Sequence, residues 1–306
     1  MSTQYFRFSA PQEFEAGRCA LLEKLLACAN QQVITNDWRR DAFQVLAQAG
    51  AVMPALAPAV LCAENLAPDA GWVCMATPLH YLADSSSVRL PWDGVLPLDG
   101  TAAESLALDF NRVWKNSGVG LIAGRTGHLY CAFERAPSVT TQDPEQVRGR
   151  HIEPFLPSGD DAMRLRLLMS EIEMWLFQHA VNLARAAQGS VVINGLWLWG
   201  GGTTVKTLPT IHGWCVGDDL FFNAIGAGNA SSEARVGAGV IVALQEPGGD
   251  AWRSGGLRWL EAAALQLRSG RISRLELSAG ERCFTVTTRG TRAFWRRRKP
   301  WWESFA

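Results

Sequence analysis

Lysine and tyrosine are scarce in this chain. Of 306 residues, only Lys24, Lys115, Lys206 and Lys299 are lysines, and three residues are tyrosines. The seven cysteines form no CxxC pair, which excludes a zinc ribbon and a thioredoxin-type redox motif. The five histidines (His80, His128, His151, His179, His212) build no HxH or HExxH spacing, so no metal or other cofactor is expected. A Walker A loop is missing, as is a G-x-G-x-x-G turn opening a helix. Ser85-Ser86-Ser87 lacks the G-x-S-x-G frame of a nucleophile elbow and reads as a loop. Long apolar runs are lacking too. The longest uncharged stretch, Ala42 to Ala63, holds Gln44, Gln48, Pro54 and Pro58, a poor membrane span. The N-terminus has no basic segment followed by an apolar run. A soluble cytoplasmic protein with no membrane association is the expectation, its cysteines small buried hydrophobes in a reducing compartment.

What is present is ordinary globular composition, 48% hydrophobic and 19% charged, in a chain long enough for a large core. Net charge is zero but uneven. Residues 251–306 carry twelve basic and four acidic side chains, leaving the rest acidic. The basic tail either packs back on the acidic body or steers an acidic partner. Trp295, Arg296, Arg297, Trp301 and Trp302 interleave indoles with guanidiniums. That mix suits a contact surface, because Trp and Arg dominate interface hot spots. It also suits self-docking by indole burial. A protein partner is favoured over nucleic acid, since thirteen Trp against three Tyr put much contact area into indoles.

Hydropathy patterning divides the chain into three. Residues 1–70 read as a helical N-terminal segment. Leucines recur at helical spacing from Leu21 to Leu26, and a second helix runs from Asp37 to Gly50 before Pro54 and Pro58 break the pattern. Residues 71–135 read as strand, helix, strand, strand, a small α+β module. Residues 136–306 read as an α/β core. It opens with one long helix from a Ser158-x-x-Asp161 capping box to Gly189, its apolar stripe including His179 and Leu183. A strand from Val191 to Trp199 follows, ended by Gly200-Gly201-Gly202. Then come a helix from Asp218 or Asp219, a strand at 236–244, a helix at 252–267, and a hairpin around Ala279-Gly280.

A glycine-rich turn after a strand lets backbone amides approach an anion, so Gly200, Gly201 and Gly202 are candidate ligand contacts. The alternative is a tight turn needing positive φ. Asp160-Asp161 and Asp218-Asp219 sit where helices begin and read first as caps. His179, on an apolar helix face, reads as a core histidine.

Several segments together carry a resemblance. They are Leu156-Pro157-Ser158-Gly159-Asp160, Glu171-Ile172-Glu173-Met174, Val181-Asn182 with Arg185, Ile193 to Gly202, and Phe294-Trp295-Arg296-Arg297. As a set they resemble the bacterial RpfE-type regulatory proteins, which implies regulation without giving a mechanism. More distantly, the chain is similar to archaeal-type cofactor-independent phosphoglycerate mutases. Their Asp-Pro-His…Gly, Val-Asn…Arg and Asn…Arg-Gly-x-Gly segments correspond here to Asp143-Pro144-Glu145…Gly149, Val181-Asn182…Arg185 and Asn194…Trp199-Gly200-Gly201-Gly202. The resemblance implies an alkaline-phosphatase/phosphoglycerate-mutase-like layered α/β core carrying the inserted 71–135 module. It makes Asp143, Asn182, Arg185 and Asn194 candidate ligand contacts beside the three glycines, with a phosphorylated small molecule as the ligand class. Two departures matter: Glu145 stands for the histidine and Trp199 for the arginine. The mutases' Gly-Asp-Gly and Asp/His-rich metal segments are not visible either. The reading is therefore a non-catalytic regulatory or interaction protein on a degenerate scaffold. The alternatives are a phosphotransfer enzyme with ligands redrawn from Asp143, Glu145, His151, Asp218 and Asp219, or a nucleic-acid binder using the basic tail.

Overall fold

The computed structural model describes residues 2–8, 18–33, 37–66, 70–84, 87–226, 236–243, 255–290 and 297–305. In chain order the elements begin with β1 (Thr3–Phe8), α1 (Ala20–Ala27), β2 (Asn30–Val33), α2 (Trp38–Leu46) and α3 (Leu56–Ala63). Next come β3 (Trp72–Leu79), a small hairpin of β4 (Leu82–Ala83) and β5 (Val88–Arg89), α4 (Gly100–Val113), β6 (Val119–Ala123) and β7 (Leu129–Phe133). The middle continues with α5 (Ala162–Phe177), α6 (Ala180–Ala187) and β8 (Gly195–Thr203). The last part holds β9 (Trp214–Gly217), α7 (Leu220–Ile225), β10 (Gly239–Ala243), α8 (Gly256–Arg268), β11 (Arg274–Ala279), β12 (Arg282–Thr287) and α9 (Trp301–Phe305). The fold is mixed α/β. Among the described residues, no helix is long and apolar enough to cross a membrane.

Two compact units result: Met1–Met53 with Pro209–Ala306, and Pro54–Leu208. The divisions expected near residues 70 and 135 thus fall elsewhere. Strand pairing is the reason. β1 runs parallel to both β10 and β11, which ties the N-terminal segment to the C-terminal one. β3 pairs with β8 over its whole length, which ties 72–79 to 195–203.

The first unit is built on a six-stranded sheet of order β2-β12-β11-β1-β10-β9. β11, β1, β10 and β9 are mutually parallel, and β12 and β2 add antiparallel at one edge. Phe6 and Phe8 of β1 are fully buried among Leu22, Leu25 and Leu26 of α1, Leu260 and Leu267 of α8, and Trp301 and Phe305 of α9. α2 and α7 cover the other face, where Phe43 meets Phe221 and Trp38 meets Phe222. A sheet buried on both sides needs near-continuous apolar strands, and β10 (Gly239–Ala243) is one; β1 buries Tyr5, Phe6 and Phe8 fully and satisfies its buried Gln4 through Gln266 Oε1 at 2.9 Å. The N-terminal segment is therefore not purely helical, since it supplies β1 near the middle of this sheet.

The second unit is a four-stranded antiparallel sheet of order β6-β7-β3-β8. α4, α5 and α6 lie on one face, with Leu106, Phe110, Leu165, Leu168, Ile172 and Leu176 in the shared core. α3 packs against β3 and β8. Pro58 does not end that helix, because it sits in the first turn, where its missing N–H has no intrahelical partner to lose. The single long helix expected from 158 to 189 is two helices. His179 is extended between them and caps α6, its Nδ1 accepting from the Val181 N–H at 3.2 Å. Asp161 does not close a capping box. Its carboxylate instead accepts from the Ser138 N–H at 2.7 Å, holding the incoming connector.

Candidate functional site

Gly200, Gly201 and Gly202 do not end their strand but lie within β8. Gly200 takes φ +62, and a Cβ there would press on Leu56 of α3. A Cβ on Gly201 would overlap the Trp72 indole, and one on Gly202 would meet Ala55. The glycines thus let an indole and a helix start approach the sheet closely. Their backbone amides do not open a phosphate-sized loop.

The amide side chains singled out from the sequence hold backbone. Asn182 is buried; its Nδ2 donates to the carbonyls of Leu176 and Ile193 at 2.7 and 2.6 Å, and its Oδ1 accepts from Ile193 N–H at 2.8 Å. It pins the α5–α6 break to the entry of β8. Asn194 accepts from Tyr81 N–H at 2.6 Å and donates to Tyr81 C=O at 2.9 Å. Arg185 Nε donates to the Val191 carbonyl at 2.7 Å. Asp143 caps the turn Pro144–Gln146 by accepting from Glu145 N–H at 3.0 Å. Glu145 pairs with Arg148 at 2.9 Å. Trp199 is buried and its indole N–H donates to Thr77 Oγ1 at 2.8 Å.

In the first unit, the carboxyl ends of β1 and β9 form the edge where parallel sheets commonly receive ligands. Two guanidiniums stack on the Trp38 indole there, Arg7 at 4.9 Å and Arg39 at 4.7 Å from its centroid. Arg39 Nε reaches Asp219 Oδ2 at 2.8 Å, with the carboxylate side chain 1% exposed. Asp219 Oδ1 also accepts from Phe222 N–H, capping α7 as the sequence suggests. Arg7 donates to the Gly280 carbonyl at 2.9 Å. Such stacking of cations on an indole, with a buried ion pair, fixes this edge. Among the described residues, no three His, Cys, Asp or Glu side chains converge as a metal set would.

The tail residues separate. Trp295 and Arg296 lie outside the described residues. Arg297 is exposed. Trp301, expected as a contact residue, is fully buried instead, edge-on to Phe8 at 5.9 Å and against Phe305. Indole burial in the unit's own core wins there over exposure to a partner, and Trp302 is only partly buried beside it.

Sequence reasoning missed a groove of about 520 Å³ in the second unit. Arg135 and Arg164 line it with Glu134, Asp161, Glu171 and Trp114. Mixed charge beside an indole can hold a zwitterionic or peptide-like group. None of the ligand or contact candidates read from the sequence lines it. Its sequence trace is slight: Asn116 at φ 73 and Gly118 at φ +75 mark the sharp turn that forms one wall.

No family model matches the chain. Among curated proteins it is similar to the 2,3-bisphosphoglycerate-independent phosphoglycerate mutase of Methanothrix thermoacetophila, 36% identical over 69 residues, which are 22% of this chain and 17% of that one. The corresponding mutase of Methanosarcina barkeri is 33% identical over 83 residues, 27% of this chain and 21% of that one. The chain thus matches about a fifth of the length of these relatives. Among solved structures, the cofactor-independent phosphoglycerate mutase of Thermoplasma acidophilum aligns over 94% of this chain and 89% of its own at 13% identity, with a TM-score of 0.37. A Pyrococcus horikoshii protein aligns over 94% and 87% at 9% identity, with a TM-score of 0.39. The sequence matches thus show a distant similarity to the 2,3-bisphosphoglycerate-independent phosphoglycerate mutases.

Proposed function

We propose that this chain is a non-catalytic interaction protein on a phosphoglycerate-mutase-like scaffold, regulatory in the sense the RpfE-type resemblance implies, and acting in the cytoplasm on a protein partner. One observation carries the reading. Trp199 stands where the mutase pattern has arginine, and it is buried with its N–H bonded to Thr77. A guanidinium there would need a counter-charge inside the sheet. The neighbouring positions support the same reading. Asn182 and Asn194 are engaged by backbone, and Glu145, in the histidine's place, pairs with Arg148. The donor set does not fit the metal chemistry of a phosphomutase. Asp219 is tied to Arg39 and to the α7 cap, and two-metal phosphoryl transfer needs several ligands converging on one site.

The test is a direct assay for interconversion of 3- and 2-phosphoglycerate, with Mn²⁺ or Zn²⁺ added to metal-stripped protein, alongside melting curves. The expected result is no turnover and no melting shift. Saturating ligand at 100 times its Kd would add about 2.7 kcal/mol of stability, so binding would be visible. Metal-dependent turnover would overturn the proposal and return Asp143, Asp218 and Asp219 to consideration as ligands.

A further inference from the structure

α5 has two apolar faces. Leu165, Leu168, Ile172 and Leu176 face the core of the second unit. The opposite face carries Met163, Leu167, Met174 and Phe177, exposed by 78%, 60%, 67% and 80%. At 100° per residue these four fall within one strip about 80° wide, with exposed Ser170 midway along it. Leu108 and Val113 of α4 and Leu183 of α6 are also more than half exposed, and α4 and α6 touch. Soluble monomers seldom leave so many large apolar side chains uncovered on one helical layer.

The order of residues along the strip selects the occupant. It reads the same in both directions about Ser170: Met163 mirrors Phe177, and Leu167 mirrors Met174 to within one residue. On one flank the charges mirror with opposite sign, since Arg166 lies as far before Ser170 as Glu173 lies after it, again to within one residue. Both are exposed and lie on the same flank of the strip. A two-fold axis through Ser170 that runs α5 antiparallel to its copy therefore places large apolar residues against large ones. It places a small residue at the crossing, and each Arg166 beside a Glu173 of the other copy. An isologous interface requires this self-complementarity, and a foreign partner does not.

We propose that this chain associates with a second copy of itself through the outer face of α5, antiparallel about Ser170, with α4 and α6 widening the contact. The inference stands apart from the non-catalytic reading, because an active mutase could pair in the same way. One short helix pair lies at the small end of stable interfaces, so the flanking residues set the strength.

Sedimentation equilibrium of the full chain tests it. The expected species at tens of micromolar has twice the 33.4 kDa chain mass. Leu167→Glu with Met174→Glu, both on the exposed strip, should weaken association at least about tenfold, by burying four carboxylates, while leaving the circular dichroism spectrum unchanged. Glu173→Arg alone should weaken it less. Ser170→Cys supplies an independent readout: at the axis each new thiol meets its own copy, so mild oxidation should link two chains far faster than in the parent protein. A monomer at about 100 µM would overturn the proposal. So would association that the double substitution leaves intact, or a Ser170→Cys variant whose chains link no faster than those of the parent. Mutase turnover in either state bears only on the functional reading.

Discussion

His179 shows how a residue's surroundings decide its chemistry. Burial holds its imidazole below the usual histidine range, and the Asp109 carboxylate at 3.3 Å only partly offsets this. Its Nδ1 accepts the Val181 N–H, which sets the neutral tautomer with the proton on Nε2, toward Asp109. Trp175 lies edge-on at 4.7 Å. The folded pKa is depressed below the unfolded value of about 6.5. As pH falls, the unfolded chain therefore binds the proton first. The stabilisation is complete above about pH 7, shrinks as pH drops through about 6.5, and is gone below the folded pKa. His179→Asn keeps a capping oxygen but cannot titrate. The melting temperature of the parent protein should fall between about pH 7.5 and about pH 5.5 more than that of the variant, read by calorimetry at both pH values. Equal falls would show that this imidazole does not titrate in that window. His128, half-buried at the end of the β6–β7 turn, is also depressed by desolvation and should retain its own part of the pH response. The sequence already marked His179 as a core histidine, but not as a cap. A cap is visible only where a helix breaks, and the apolar spacing runs unbroken past 179 because Leu183 belongs to the outer surface.

Elements were legible where a cap or turn residue punctuates them. Asp37 bonds Arg40 N–H, Asp219 bonds Phe222 N–H, and Gly280 at φ +54 turns the last hairpin. They were less legible where one periodicity serves two purposes. α5 carries apolar residues on both sides, so its pattern alone does not say which face is core. The glycines of β8 suggested a loop because their real partners, Trp72, Ala55 and Leu56, lie far away in sequence. α9 is the sharpest case. Five residues cannot hold a helix by propensity, so its place depends on side chains entering the core. Trp301 contacts Phe8 and Phe305, and Phe305 stacks edge-on with Phe8 and Phe284. Trp301→Ala should cost about 3 to 5 kcal/mol, the range for deleting a large buried aromatic. Trp302→Ala, at a half-exposed position, should cost much less. Urea midpoints of the two variants decide it; similar small losses would mean the tail rests on the surface rather than in the core.

For the molecule as a whole, strand pairing makes the Pro54–Leu208 unit an insertion into the other. The first unit closes around the points where the chain leaves and returns. Leu46 C=O accepts from His212 N–H at 2.9 Å, and Ala47 bridges Ile211. The local strand–helix–strand–strand order at 71–135 was readable, but its partners β8, α5 and α6 were not. Antiparallel pairing of β3 with β8 across more than a hundred residues leaves no local mark. The parallel pairing of β1 with β10 and β11 is equally silent in sequence, which is why the N-terminal strand escaped a helical reading of the segment. This topology makes a definite prediction. Residues 54–208, expressed alone, should fold cooperatively, since their sheet and both its faces are internal and a chain of about 150 residues buries roughly 70% of its unfolded surface. Residues 1–53 joined to 209–306 by a short Gly/Ser linker should also fold, because the joined ends already meet at Leu46 and His212. Removing Thr3–Phe8 from that second fragment should abolish its folding, since β1 separates β10 from β11 in the sheet. Circular dichroism melts and amide exchange on the three fragments read the result. An unfolded 54–208 fragment would mean that the insertion depends on its host, and a folded fragment without β1 would overturn the strand order.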